Sequence, residues 1–144
     1  MPFQWPLRVY IEDTDLGGIV YYVNYLKFME RARTELLRQC GGSQQELMAD
    51  DIIFVVTRTD CRYLSPARLD DELLVEVGIE RASGVRVAFH QRIIRVEDGR
   101  LLCEADVDVA CVRASDMRPR RWPENLLQKT MKTVTESLPA AEEK

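Results

Sequence analysis

The stretch of sequence that decides the fold is EDTDLGGIVYYVNYLKFMERARTELLRQC, residues 12–40. Its first part is polar and contains Gly17-Gly18, which predicts a loop. From Tyr22 to Cys40 the apolar residues recur with the period of an α-helix. They form one stripe, which consists of Tyr25, Phe28, Met29, Ala32 and Leu36. The stretch therefore predicts a loop followed by one long amphipathic helix.

Both ends of this helix carry sequence signals. Asn24 is a candidate N-cap near the start. Gly41-Gly42 predicts the end, because glycine adopts the left-handed conformation that follows many helices. Ser43 and Glu46 then have the spacing of a capping box, which predicts a second, short helix over 44–49.

Strands are predicted on both sides of these helices. Residues 7–12 alternate between apolar and polar and predict a short half-buried strand. Residues 52–64 begin as a continuous apolar run, which predicts a strand that is buried on both faces and ends at Pro66. Three alternating segments follow at 73–80, 85–96 and 103–111.

The later part of the chain adds three local features. The alternation slips after Phe89 to Ile94 and Val96, which predicts a bulge near residues 91–93. Asp98-Gly99 predicts a hairpin turn. Pro123 marks the start of a last helix. The apolar stripe predicted for that helix is Leu127, Met131, Val134 and Leu138.

These elements predict an α+β fold in one domain, residues 1–135, followed by a polar, disordered tail over 136–144. A five-stranded antiparallel sheet that wraps around the one long central helix, with a C-terminal helix beside it, accommodates all of them. Such a layer leaves open sheet edges and a partly apolar outer surface, so we expect a homodimer or a tetramer.

Composition excludes several classes of protein. The chain has 144 residues, a net charge of −4 and no apolar run long enough to cross a bilayer. An acidic chain is a poor partner for nucleic acid, and the N-terminus has no secretory signal, so we expect a cytoplasmic protein. The four cysteines form no C-x-x-C pair and there is one histidine, His90, so we expect reduced thiols and no metal site.

The candidate chemistry is a carboxylate in a glycine-containing loop before a helix. The sequence has no phosphate loop, no nucleophile elbow and no zinc-binding H-E-x-x-H motif. Asp13 and Asp15 precede the long helix, whose first N–H groups and dipole can stabilise a developing oxyanion. A carboxylate there can activate water or attack a carbonyl, but an aspartate before a helix is more often a cap or turn residue.

The run from Glu12 to Glu35 closely resembles the signature of the hotdog-fold acyl-CoA thioesterases. It is most similar to the Tol–Pal-associated (YbgC-type) subfamily, which is related to 4-hydroxybenzoyl-CoA thioesterase. The resemblance continues through Phe54-Val55-Val56, Tyr63-x-x-Pro66 and Gln91-Arg92-Ile93 to about residue 122. It implies the hotdog fold, with the long helix inside a wrapped sheet.

The resemblance also implies roles for individual residues. Asp15 matches the catalytic carboxylate of the family, and Tyr22 lies where a backbone amide polarises the thioester carbonyl. Gly17, Gly18 and Asn24 belong to the substrate-binding loop by the same match. The family places its site between two subunits, so Ser65 is expected to approach from the partner chain. Many Tol–Pal-associated enzymes have His where this chain has Tyr22, which excludes a side-chain imidazole role.

The other candidate residues have both a structural and a functional interpretation. Asp13 is expected to be a structural turn residue, and His90 a histidine of the sheet without a catalytic role. Arg81 and Arg86 flank the Gly84 turn and are candidates for binding a coenzyme A phosphate. A second basic cluster is either a solvated surface or a dock for coenzyme A or an acidic carrier protein. It consists of Arg113, Arg118, Arg120 and Arg121.

The sequence thus predicts an acyl-CoA thioesterase that releases a carboxylic acid and free coenzyme A. It predicts no cofactor, with coenzyme A present only as part of the substrate, and acyl carrier protein as a candidate partner. One alternative is a non-catalytic scaffold of the cell envelope that binds acyl thioesters or acyl carrier protein. Another is a hotdog dehydratase, which usually needs a histidine near the motif, where this chain has none.

Overall fold

The computed structural model describes residues 3–137, and the bounds below refer to that part of the chain. The elements in chain order are β1 (Phe3–Arg8), a 3₁₀ turn (Ile11–Asp13), α1 (Val23–Gln39), α2 (Gln44–Ala49), β2 (Ile52–Tyr63), β3 (Glu72–Ala82), β4 (Arg86–Arg95), β5 (Leu101–Arg113) and α3 (Glu124–Ser137). Helix α3 includes the first two positions of the predicted tail, and the rest of that tail, 138–144, lies outside the described residues.

The sheet is antiparallel and wraps around α1, as the sequence predicts. Its strand order is β1-β3-β4-β5-β2, so β1 and β2 form the two edges. The predicted stripe of α1, from Tyr25 to Leu36, is buried against the inner face of the sheet. The hotdog architecture is therefore confirmed. No helix in residues 3–137 has the length and apolarity needed to cross a membrane.

The first strand lies earlier in the chain than predicted. It spans Phe3–Arg8, and the chain turns at Tyr10 into the 3₁₀ turn instead of continuing to residue 12. Pro6 lies inside β1, where its missing N–H is tolerated because β1 is an edge strand with one neighbour. Because proline is unusual inside a strand, the sequence pattern did not predict a strand that begins before Pro6.

Strand β2 is not buried on both faces, contrary to the prediction. Only Ile52 at its start is buried, and the central and C-terminal parts are largely exposed, with Val56 at 50%. The reason is topological, because β2 pairs with β5 alone and forms the second edge of the sheet. An apolar run cannot distinguish a central strand from an edge strand that keeps apolar side chains exposed.

The irregularity predicted near residues 91–93 lies at the end of that range, and the extra residue belongs to β5 rather than to β4. Gln91 continues the inner face of this strand and is fully buried between Phe89 and Ile93. Its side chain accepts a hydrogen bond from Arg33 Nη1 (2.8 Å) and donates one to Met29 O (3.0 Å). A satisfied polar residue thus interrupts the apolar pattern but not the strand. The register instead shifts opposite Ile93 and Ile94, where β5 contains the extra residue, Leu102.

The helix ends agree with the sequence, except for two corrections. Ser43 Oγ accepts from Glu46 N–H at 3.2 Å, and Gly41 after α1 has φ +94°. Asn24, however, lies inside α1 and is not the N-cap, which is Tyr22.

The second correction concerns α3. Its buried side matches the predicted stripe only in part, because Val134 is buried as predicted but Met131 is exposed and Leu127 is only partly buried. Leu138 lies outside the described residues. The residues that α3 buries are Leu126, Thr130 and Val134.

Candidate active site

The segment between the 3₁₀ turn and α1 folds into a tight loop. Asp15 N–H donates to Ile19 O (3.1 Å) and Gly18 N–H donates back to Asp15 O (3.0 Å), while Thr14 and Val20 form a β-bridge. Gly18 has φ +76°, a conformation that costs an L-residue free energy, so glycine is required there. The loop therefore holds Asp15 in a defined position beside the start of α1.

The carboxylate of Asp15 is at the exposed tip of this loop. Its Oδ1 accepts a hydrogen bond from Gly17 N–H at 3.1 Å, which fixes the side chain by an Asx turn. A Cβ on Gly17 would lie 3.7 Å from that oxygen, so the glycine leaves space around the carboxylate. A substrate can therefore reach Asp15 from solvent.

Asp13 is structural, as expected. It is buried, and its Oδ2 accepts from Tyr10 N–H at 2.8 Å, which closes the 3₁₀ turn. Its backbone oxygen accepts from Tyr21 N–H (3.0 Å) and from Asn24 Nδ2 (2.9 Å). Asn24 thus ties α1 to the loop, and its role in substrate binding stays a prediction.

The N-terminus of α1 presents backbone donors next to the loop. The first N–H groups bonded within the helix turn are those of Asn24, to Tyr21 O (2.8 Å), and Tyr25, to Tyr22 O (3.3 Å). The N–H groups of Tyr22 and Val23 precede them, so neither has an acceptor inside the helix. Together with the positive end of the helix dipole, they form a site for a developing negative charge.

A cluster of tyrosines surrounds this helix end. The ring of Tyr22 is 5.2 Å from that of Tyr21 and 5.7 Å from that of Tyr63, both edge-to-face. Tyr25 lies 5.7 Å from Tyr63 on the inner side. Tyr63 was not predicted as a site residue, although it begins the Tyr63-x-x-Pro66 motif that belongs to the family resemblance.

The segment after β2 closes the site from the same chain. Val20 N–H donates to Ala67 O (2.8 Å) and Leu69 N–H donates to Gly18 O (3.3 Å). The Tyr25 hydroxyl accepts from Ala67 N–H at 2.9 Å, and burial raises the pKa of this tyrosine. Ser65 lies two residues before Ala67, and its N–H donates to Leu102 O of its own chain (3.1 Å). Its approach to the site of a partner chain stays a prediction.

A cavity of about 310 Å³ runs along α1 from the first turn of the helix. Its walls are mixed, because five of the nine lining residues are apolar and the other four, Lys27, Glu30, Arg33 and Thr59, are polar or charged. Its lining includes Val23, Leu26, Met29, Arg33, Val56 and Val107.

The arginines of the two predicted basic clusters are grouped differently in the structure. The guanidinium of Arg121 lies so close to Gly84 that any Cβ there would collide with it, and Trp122 N–H donates to Gly84 O at 2.8 Å. Arg121 thereby joins Arg81 and Arg86, which flank the same turn. We call these three residues the basic surface. Its members are exposed.

The other arginines of the second predicted cluster make hydrogen bonds and an ion pair within the segment at the end of β5 and just after it. Arg113 forms an ion pair with Asp116 at 2.7 Å, and Arg118 N–H donates to Asp116 Oδ1 at 3.0 Å. Arg120 Nε donates to Arg121 O at 3.2 Å. The predicted four-residue cluster is therefore not one patch of free charges.

The basic surface and Asp15 lie at opposite ends of β2. Trp122, next to Arg121, stacks on Phe54 with ring centroids 4.3 Å apart, whereas Tyr63 at the other end of β2 contacts Tyr22. Nine residues of extended strand separate Phe54 from Tyr63, or about 30 Å. One chain therefore does not bring its own basic surface to its own Asp15.

His90 lies on the outer face of the sheet, on the side opposite α1. Its Nδ1 is 2.8 Å from Asp106 Oδ1 and its Nε2 is 2.8 Å from Glu104 Oε2. Partial burial opposes the charged form, but these two carboxylates outweigh it and raise the pKa of His90. The histidine is thus a satisfied member of a charged network that has no contact with the loop of Asp15.

Glu80, His90 and Asp106 each offer one ligand atom within 4.8 Å of the others. No ion is present in the structure. Both ring nitrogens of His90 are engaged by carboxylates, and we interpret the group as an ion-paired network. The expectation that the protein needs no metal stays a prediction.

The raised pKa of His90 predicts a pH-dependent contribution to stability. Its folded-state pKa exceeds the ordinary 6.5, so the contribution is complete below about pH 6.5 and is lost as the pH rises through the folded-state value. We expect His90→Gln to lower Tm by about 2–4 °C near pH 6 and by much less near pH 9. Thermal unfolding of both proteins at each pH measures this difference. An equal difference at both pH values would contradict it.

Comparisons with known proteins agree with this geometry. The thioesterase-like superfamily matches residues 9–130. The acyl-CoA thioester hydrolase YbgC of Escherichia coli O6:H1 is 48% identical over 125 residues, which cover 87% of this chain and 92% of that protein. The acyl-CoA thioesterase YbgC of Haemophilus influenzae is 42% identical over 86% of this chain and 90% of its own length. A solved structure of a probable thioesterase from Bartonella henselae superimposes with a TM-score of 0.79 at 34% identity, covering 85% of this chain and 100% of that one.

Proposed function

The chain belongs to the thioesterase-like superfamily and is a thioester hydrolase, and from this premise we propose that it hydrolyses acyl-CoA to a carboxylic acid and free coenzyme A. The observation that carries the proposal is the pairing of an exposed, positioned carboxylate with a free helix N-terminus. Asp15 and the N–H groups of Tyr22 and Val23 are joined by one short hydrogen-bonded loop.

In the proposed reaction, the thioester carbonyl oxygen accepts from the backbone N–H of Tyr22. The charge that develops on this oxygen is stabilised by the N–H and by the dipole of α1. Asp15 either removes a proton from the attacking water or attacks the carbonyl carbon itself, forming a mixed anhydride that water then hydrolyses. Both routes end with the carbon–sulfur bond broken, the thiol of coenzyme A released and the carboxylic acid formed.

The acyl group is proposed to occupy the cavity along α1. The cavity starts at Val23, next to the amide proposed to bind the carbonyl, and its apolar residues Leu26, Met29, Val56 and Val107 suit a hydrocarbon or aromatic acyl group. Gly17 and Gly18 leave room for the thioester at its entrance.

The coenzyme A phosphates are proposed to bind the basic surface of a second copy of the chain. A distance of about 30 Å along β2 separates the basic surface from Asp15 within one chain. Antiparallel pairing of two β2 edges would place the basic surface of one chain beside the Asp15 loop of the other. This arrangement supports a homodimer as the catalytic unit, with a tetramer as a dimer of dimers.

The same basic surface suits the acidic helices of a carrier protein, so an acyl carrier protein is the second candidate for the thiol side of the substrate. The association with the Tol–Pal system, the cytoplasmic location and the absence of a cofactor stay predictions.

A hydrolysis screen tests the proposed function. We expect the purified oligomer to release thiol from at least one of a short-chain, a long-chain and an aromatic acyl-CoA, and the same acyl groups on acyl carrier protein identify the preferred carrier. Asp15→Asn is the matched control, because it keeps the loop and removes the carboxylate. A folded oligomer that binds acyl-CoA but hydrolyses none of these esters would favour the non-catalytic scaffold.

A further inference from the structure

Two of the four cysteines meet next to the tyrosine cluster. Cys61 on β2 and Cys103 on β5 are diagonal neighbours on the inner face, since Cys61 pairs with Ala105 and Tyr63 pairs with Cys103. Their sulfur atoms are 3.3 Å apart. Both residues lie more than 40 positions apart in the sequence, so their spacing indicated no pair, and all four cysteines were expected to be separate small hydrophobic residues.

The other two cysteines have different surroundings. Cys40 is buried and contacts Thr133 Oγ1 at 3.4 Å, and Cys111 is buried with its sulfur 3.9 Å from Arg121 O. Burial raises the pKa of the Cys111 thiol. Within residues 3–137, Cys61 and Cys103 are thus the pair whose sulfur atoms are in contact.

The two thiols of the pair differ in exposure and in pKa, as the reactive and the resolving cysteine of a redox pair do. Cys61 is half-buried on an edge strand, whereas Cys103 is fully buried. A hydrogen bond from the Cys103 thiol lowers the pKa of Cys61 to about 7, and this same contact and burial raise the pKa of Cys103. The contact with Cys103 therefore favours the thiolate of Cys61, the form that reacts with peroxides.

We propose that Cys61 and Cys103 form a peroxide-sensitive modification site that closes to an intramolecular disulfide. The Cys61 thiolate attacks one oxygen of hydrogen peroxide, the O–O bond breaks, and with one proton the products are Cys61 sulfenic acid and water. The Cys103 sulfur then attacks the Cys61 sulfur, the S–O bond breaks, and the hydroxide that leaves takes the Cys103 proton as water. Overall, two thiols are oxidised to one disulfide and one peroxide is reduced to two waters.

The position of the cysteine pair predicts how the disulfide affects the candidate active site. The sulfur atoms must approach by about 1.3 Å to reach bonding distance. Because β2 and β5 are already paired at these residues, rotation of the two side chains and a small shift of β2 along β5 must supply this approach. This movement displaces Tyr63, two residues from Cys61, whose ring packs against those of Tyr22 and Tyr25. Oxidation is therefore expected to disturb the start of α1 and to lower thioesterase activity reversibly. This effect on activity rests on the proposed function, whereas formation of the disulfide does not.

The test uses a variant in which one intramolecular disulfide is possible. Cys40→Ala/Cys111→Ala keeps Cys61 and Cys103, and after treatment with a modest excess of hydrogen peroxide we expect its intact mass to fall by about 2 Da per chain. Peptide mapping of oxidised wild-type protein, which needs no variant to fold, should recover a peptide that links Cys61 to Cys103. Dithiothreitol should restore the original mass.

Activity is measured on the same samples with the best acyl-CoA. We expect at least a fivefold loss on oxidation, recovery with dithiothreitol, and no loss in Cys61→Ala treated identically. If peroxide only adds oxygen, so that the intact mass rises instead of falling, the proposed modification site is wrong. A disulfide-linked dimer on a non-reducing gel would also overturn it. A Cys61–Cys103 disulfide with unchanged activity would overturn its effect on catalysis. If the reduced protein hydrolyses no acyl-CoA, the proposed function fails, and the mass measurement still decides the modification site.

Discussion

Asp15→Asn is expected to lower kcat/KM by about 10²–10⁴-fold, the loss typical of a removed general base. Asparagine has the same size and its Oδ1 still accepts from Gly17 N–H, so the loop conformation should be kept. What disappears is the negative charge that removes a proton from water or attacks the thioester. The measurements are kcat and KM on the best acyl-CoA together with Tm, which should be nearly unchanged.

Tyr22→Phe is the matched control for this prediction. The proposed role of Tyr22 belongs to its backbone N–H, which the substitution leaves in place, so only a hydroxyl hydrogen bond of about 1 kcal/mol is at risk. Activity should stay within about tenfold of wild type. If Asp15→Asn is nearly as active as wild type, or if folded Tyr22→Phe is as inactive as Asp15→Asn, the assignment of roles is wrong.

Removal of the basic surface is expected to raise KM by about tenfold or more with kcat nearly unchanged, the pattern of lost uniform binding. The variant is Arg81→Gln/Arg86→Gln/Arg121→Gln, in which glutamine keeps part of the packing of Arg121 on Gly84. Arg8→Gln/Arg38→Gln/Arg100→Gln removes the same charge elsewhere and should leave KM near wild type. If both triple variants raise KM equally, the basic surface has no specific role in substrate binding.

Mixing two variants that are each impaired at low substrate concentration tests whether the site uses two chains. If Asp15 of one chain works with the basic surface of another, a re-associated equimolar mixture of Asp15→Asn and the basic-surface variant contains hybrids with one intact site. Random pairing makes half of the dimers hybrid and one of two sites active, so about a quarter of wild-type activity at low substrate should return. Activity no higher than the average of the two parents would place both elements in one chain. A stable active monomer in light scattering would contradict the two-chain site as well.

Local sequence patterns predicted the elements that depend on near neighbours. The stripe from Tyr25 to Leu36, the Ser43 cap and the Gly41 stop were correct, because helix period and capping involve residues a few positions apart. Patterns failed where a distant partner decides the environment. Gln91 is a polar residue in the core because Arg33 and Met29 satisfy it, and β2 is exposed because it has one neighbour in the sheet.

The candidate site divides in the same way. The order Asp15, glycine loop, helix N-terminus is contiguous in the chain, so the sequence by itself placed a carboxylate before a helix start, and the resemblance of this run to the thioesterase family made it the candidate site. The tertiary structure alone brought Tyr63 to Tyr22, joined Arg121 to Arg81 and Arg86, and placed Cys61 against Cys103. Each of these contacts depends on strand register and on which element covers which, and these are set by packing of the whole sheet around α1 rather than by the residues adjacent in sequence.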